Sequence, residues 1–143
     1  MISPVRALFS SMFQEPVEHH IKIDDCKISE SFCNVIIGEN KELTINVTPK
    51  IAANHPMDIN VSLRGVEPDK LTIDFEGVSH SHDIHAYDFN KDRKGQYSTK
   101  GFISICSLST MHWMANLIVV SGNESWKVSF PFAIKGSAAA PAL

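Results

Sequence analysis

The densest chemistry in the chain lies in residues 78–89, VSHSHDIHAYDF, where His80, His82 and His85 fall within six positions of a sequence that holds seven histidines. Neutral imidazole ligates zinc, copper and nickel, and a thiolate or thioether partner shifts the preference towards monovalent copper. Residues two apart on a strand point to the same face with Cα atoms roughly 6.5 to 7 Å apart, so an extended segment lets His80 and His82 reach one ion. His85 takes the other side unless the chain bends, and Gly77 and Asp83 are residues that favour a bend. Sulfur donors stand in CSLSTMHWM, where Cys106 closes one apolar stretch and Met111, His112 and Met114 open the next. The candidate metal set is therefore His80, His82, His85, Met111 and Cys106, with Asp83 or Asp88 to accept an imidazole N–H. The competing reading is a polar, imidazole-rich connection, with Met111 and Met114 filling gaps at the rim of the core. His19, His20 and His55 read as solvated side chains in a tail and a turn. Titration of the cluster near its ordinary pKa of about 6.5 would make a pH switch, but no signal of an acidic compartment accompanies it.

Cys26, Cys33 and Cys106 form an odd set. In an oxidising compartment one pair and one leftover thiol is the simplest arrangement, and in a reducing one all three would be small buried hydrophobes. Cys33–Cys106 is the favoured bridge, because Cys26 lies among charged residues in DDCK. A bridged Cys106 would leave the ligand set. Gly-rich phosphate loops, GxSxG, HExxH and CxxC are absent from the sequence. Cys106 with His112 is the one nucleophile–base pairing on offer, and nothing in the sequence supplies a pocket for it. The chain reads as non-enzymatic. Sequons at Asn46, Asn60 and Asn123 matter only for a secreted eukaryotic protein.

The elements that must position these residues are short strands of period two. In ELTINVTPK, Leu43, Ile45 and Val47 alternate with polar residues, and MDINVSLRGV repeats the scheme with Met57, Ile59, Val61 and Leu63. Leu71, Ile73 and Phe75 follow after the turn GVEPDK. IHAYDF is a further strand, NKDRKG a charged hairpin loop ending at Gly95, and QYSTKGFISI, MHWMANLIVV and SWKVSFPFAI complete the series, the last two joined by SGNE. Turn signals about every 8 to 12 residues and no long helical period predict an all-β, immunoglobulin-like antiparallel β-sandwich of about seven or eight strands. Trp113, Ala115, Leu117 and Val119 share a face, as do Trp126, Val128, Phe130, Phe132 and Ile134, so these two strands should centre the core. Pro131 cannot donate to a ladder and belongs at an edge or bulge.

With 143 residues the chain suits one domain, read as an N-terminal extension over 1–32, a sandwich over 33–135 and a disordered tail over 136–143. Its 43% apolar content, 20% charged content and net charge of -3 are those of a globular protein without the basic excess that phosphate neutralisation needs, which argues against nucleic acid. The N-terminus, MISPVRALFSSMFQEPVEHHIK, is interrupted by Pro4, Gln14, Glu15 and Pro16, and reads as neither a membrane span nor a signal peptide. The expectation is a cytoplasmic protein if the chain is complete, or an envelope protein whose anchor or targeting segment lies outside it.

The pieces INVSLRGV, LTIDFEGVS, HSHDIHAYDF, KGQYSTKGFISI and MHWMANLIVV, set between Leu43 and Ile134, resemble in layout the small periplasmic domains of the FixH and YtkA-like type. A cysteine before the tryptophan strand, as Cys106 stands before Trp113, is similar to an uncharacterised proteobacterial group. The resemblance implies an immunoglobulin-like fold and a role in copper handling or respiratory oxidase assembly in the bacterial envelope, with an envelope protein as partner. Where that family carries methionines and glycine in its loop, this chain has His80, His82 and His85, which changes the donor set. The leading expectation is a non-catalytic domain binding copper, with zinc as the alternative metal. The alternative function is a protein interaction module that docks through a sheet edge or the N-terminal segment, without a metal.

Overall fold

The computed structural model describes residues 16–48, 51, 55–77, 84–103 and 111–134, and within them the protein is two packed five-stranded sheets. The strands are β1 (Val17–Lys22), β2 (Cys33–Gly38), β3 (Lys41–Thr48), β4 (Met57–Arg64), β5 (Lys70–Gly77), β6 (Ile84–Asp88), β7 (Asn90–Arg93), β8 (Gln96–Gly101), β9 (Met111–Ser121) and β10 (Glu124–Ile134). One sheet has the order β1-β10-β9-β5-β6 and the other β2-β3-β4-β8-β7. The chain changes sheet between β1 and β2, between β4 and β5, between β6 and β7, and between β8 and β9, which is the crossover pattern of an immunoglobulin-like Greek key. All pairings are antiparallel except β1 with β10, which run parallel.

Alternation fixes which face each strand buries. On β3 and β4 the inward residues are Leu43, Ile45, Val47, Ile59, Val61 and Leu63, and all are buried. From the opposite sheet Ile73, Phe75, Trp113, Leu117, Val128 and Phe130 close the core. β9 lies at its centre, paired with β10 on one side and β5 on the other. Ala115 stands between Phe75 and Phe130 in register, so a small side chain separates two large ones. Phe75 in turn meets Phe132 edge to face, with ring centroids 6.2 Å apart and planes at 88°. The outer face of the same strands is tied by Asn116, a buried polar residue whose Nδ2 donates to Asp74 Oδ1 at 2.8 Å and whose Oδ1 accepts from Ser129 Oγ at 2.7 Å. A buried amide so satisfied adds register without an uncompensated desolvation cost.

Among the described residues there are ten strands where the sequence suggests seven or eight. NKDRKG is not wholly a loop: Asn90–Arg93 form β7, exposed along its length, and only Lys94 and Gly95 make the turn. A four-residue edge strand with no buried face leaves no apolar alternation to read. β1 lies upstream of residue 33, where the sequence reading begins the sandwich, and its register runs from Val17 opposite Glu124 to Lys22 opposite Ser129. Beyond it the Ile23 N–H still donates to the Ser129 carbonyl at 2.8 Å. Pro131, two residues further on, has the same pleat side, so its missing N–H falls where β1 has already ended. The proline is thus at an open edge, as its chemistry requires.

Gly65 follows β4 with φ of 82°, and a Cβ built there would lie 1.9 Å from the Asn40 carbonyl oxygen. The β2–β3 turn can therefore approach the end of β4 only because this position lacks a side chain.

Two stability predictions follow from this packing. Leu117 is fully buried between Ile73 and Val128, and Leu117→Ala should cost about 2–5 kcal/mol in urea denaturation with the slope unchanged. A loss under about 1 kcal/mol would contradict the central place given to β9. At the other end of the sandwich Tyr97 is pushed above its ordinary 10.0 first by burial and then by the charge of Glu67. A raised pKa favours the protonated phenol in the folded state, so this contribution is fully present below about pH 10 and is lost as pH rises through the folded value. Phenolate absorbance should include a late-titrating step that Tyr97→Phe removes.

Candidate functional site

The candidate ligands attach to one end of the sandwich. β5 ends at Gly77, opposite Trp113 on β9, and β6 begins at Ile84, opposite Glu76. β9 begins at Met111, opposite Ile134. The strand ends that flank residues 78–83 and the strand start that follows residues 104–110 are therefore neighbours in one sheet. On the other sheet β8 runs towards the same end, and its exit is held by Tyr87 on β6. The Tyr87 hydroxyl donates to the Phe102 carbonyl at 2.6 Å and accepts from the Phe102 N–H at 3.0 Å. Ile103 then buries completely. Both connections that carry the sequence-derived ligands thus leave and enter strands at the same mouth.

His80, His82 and Cys106 lie outside the described residues. His85 is half-buried on the inward face of β6, opposite Phe75, with its ring 5.9 Å from that of Trp113 and inclined at 47°. Trp113 is 1% exposed, and its Nε1 has no hydrogen-bond partner among the described residues. Met111 is placed by its backbone as the first residue of β9. Among the described residues no three His, Cys, Asp or Glu side chains form a group able to hold a metal. What the fold brings together is His85, Trp113 and the start of β9; the two carboxylates considered as imidazole partners divide, with Asp83 outside the described residues and Asp88 accepting from Thr72 Oγ1 at 3.2 Å.

His112 points to the opposite face from Trp113 and is exposed. There it lines a groove of about 460 Å³ with Lys22, Lys27, Met114 and Pro131, formed where β1 stops and β10 continues.

The favoured bridge is corrected by the structure. Cys26 pairs with Cys33, with Cα atoms 6.0 Å apart and seven residues of separation. The reason lies in Ile28, which is 2% exposed: burying it folds the segment after β1 back on the sandwich and draws the charged DDCK stretch beside the start of β2. Glu30 and Ser31 N–H groups both donate to the Lys27 carbonyl, which tightens the loop. Short separation was the available signal, and the charges around Cys26 obscured it. Cys33 is fully buried, and its pairing with Cys26 replaces the expected bridge to Cys106, which lies outside the described residues.

His19 is also not a merely solvated residue. Its Nε2 lies 2.7 Å from Glu124 Oε2, and its ring stacks on Trp126 with centroids 5.5 Å apart and planes at 18°. This contact docks β1 on β10, whereas His20 faces solvent beside Glu18 at 3.6 Å. His55 is exposed in a bend before β4.

No protein-family model matches the chain, and no curated protein matches it. A solved structure, that of a DUF4785 family protein from Legionella pneumophila, is similar at 10% identity and a TM-score of 0.47, over 68% of this chain and 29% of that one. The chain thus spans less than a third of that protein's length.

The cysteine arrangement has a direct check. Denatured without reductant, the protein should present one alkylatable thiol, at Cys106, and three after reduction. Reduction should also lower stability by roughly 2–3 kcal/mol, the chain-entropy value for so short a closed loop. Alkylation at Cys26 in the unreduced protein would reject the pairing.

Proposed function

We propose that this protein is a non-catalytic immunoglobulin-like domain that binds a transition metal, copper in preference to zinc, where β5, β6 and β9 end together. Its role is metal handling or oxidase maturation in the bacterial envelope, as in the FixH and YtkA-like domains whose layout it resembles. The observation that carries the reading is the shared mouth: Gly77 ends β5, Ile84 begins β6 and Met111 begins β9, three termini of neighbouring strands in one sheet. Supporting it, His85 already faces inward at that mouth and is only partly buried. The Cys26–Cys33 bridge suits an oxidising compartment, which fits an envelope location.

His80, His82 and His85 would supply nitrogen and Met111 and Cys106 sulfur, a mixed set soft enough for monovalent copper. Bound there, the metal is cargo, held and passed on. Trp113 forms the inner wall beside His85 and excludes water from that side. The domain's part is to hold His85 and Met111 on strand ends, because ligands on a packed sandwich lose little freedom when they bind.

The test is a competition titration with monovalent copper and with zinc, on metal-free protein with the Cys26–Cys33 bridge intact. One copper per chain is expected, abolished when His80, His82 and His85 are all changed to alanine. His85→Ala alone should weaken binding by more than about 100-fold, since even loss of an outer hydrogen-bond partner costs 10- to 100-fold. Equal binding by the parent and the triple variant would refute the site, and zinc binding tighter than copper would refute the choice of metal.

A further inference from the structure

Four strands border the two sheets, and one of them lacks the usual protection. β1 exposes Glu18, His20 and Lys22, β6 exposes Asp88, and β7 exposes Lys91, Asp92 and Arg93. Charges on an edge oppose pairing with another strand. β2, by contrast, is CNVIIG, six residues with no ionisable side chain and no proline. Its inward residues Cys33, Val35 and Ile37 are buried in the sandwich, while on its outer face Ile36 is 67% exposed. Phe32, immediately before the strand, is 61% exposed. These are the two most exposed large hydrophobic side chains among the described residues, and they flank one edge.

We infer that β2 is a self-pairing edge, through which two copies of this chain join their β2 strands antiparallel about a two-fold axis. The occupant follows from charge. In an isologous contact each residue meets residues of the same strand, so any edge charge is duplicated across the interface. An edge strand with no charge escapes that like-charge cost, and among these four β2 is the one that does. Side-chain shape agrees. With the axis at Val35, Asn34 crosses Ile36 of the second copy and Phe32 crosses its Gly38. Gly38 brings no side chain of its own to that crossing, where the Lys41 stem from β3 already lies 3.2 Å from a Cβ built there. Asn34 is already oriented, since its Nδ2 donates to Thr44 Oγ1 at 2.8 Å on β3.

The contact is one short strand pair with two apolar anchors, below the roughly 800 Å² per partner of a standard stable interface. The association is accordingly weak and concentration-dependent. It does not depend on a metal, because β2 belongs to the sheet that lacks β5, β6 and β9.

Sedimentation of the full chain from micromolar to millimolar concentration tests it. A monomer–dimer equilibrium is expected, together with hydrogen-exchange protection of residues 33–38 that rises with protein concentration. Ile36→Lys, which sets a duplicated charge on the edge, should remain monomeric throughout with an unchanged circular dichroism spectrum. Asn34→Lys gives the same reading should Ile36→Lys fail to fold. Ala86→Lys, on the β6 edge, should leave the dimer intact. A parent protein monomeric at every concentration would overturn the inference and leave β2 to a foreign strand. A dimer that survives both β2 lysine variants would overturn it equally, by placing the contact elsewhere.

Discussion

The placement of everything else depends on the register of β9. Its inward residues Trp113, Ala115, Leu117 and Val119 are all buried, and its two neighbours take their positions from it. Slipping β9 by one residue would turn this stripe to solvent and carry Met114, Asn116 and Ile118 into the core. It would also break the Asn116 bonds to Asp74 and Ser129, which exist only in the observed alignment. Hydrophobic burial supplies most of the free energy and is indifferent to fine alignment, whereas the amide makes one alignment better than its neighbours.

That register also determines what the mouth of the sandwich can do. Because Gly77 is opposite Trp113, β5 ends level with the third residue of β9, and β6 starts one step below. His85 is then carried to Trp113 by β-pairing alone. Tyr87, two residues along the same pleat, uses its hydroxyl to fasten the exit of β8. One short strand thus presents an imidazole and anchors the opposite sheet. Both of these inward residues have ring partners in the core, His85 against Trp113 and Tyr87 against Phe75.

Legibility of the sequence followed burial. β3, β4, β5, β9 and β10 each bury one face of a strand, and their alternating apolar residues locate them closely. β7 buries nothing, so its NKDR reads as a loop although its backbone pairs with β8. β1 is hidden for a different reason: His19 occupies the place an apolar residue would take, and its stacking on Trp126 is not a pattern that hydrophobicity reveals. The bridge was misassigned because local charge at Cys26 weighed more in the reading than the burial of Ile28, a lone apolar residue in a polar stretch. As for the site, residue types and spacing indicate a donor set, but that the two connections share a mouth is a property of the topology, which periodicity does not contain.

The parallel pairing of β1 with β10 has a bearing on the order of assembly. β1 is the first strand among the described residues, yet its partner residues are 124–129, the opening half of the last one, β10. A chain made or exported from its N-terminus therefore carries β1 unpaired until almost all of the domain has emerged. The intervening loop closure is among the longest this sequence allows, and long closures come late because their entropy must be met by contacts already formed. β1 is thus a latch strand that reports completion: it settles only on a finished β10, so a chain stalled before residues 124–129 leaves β1 without its partner.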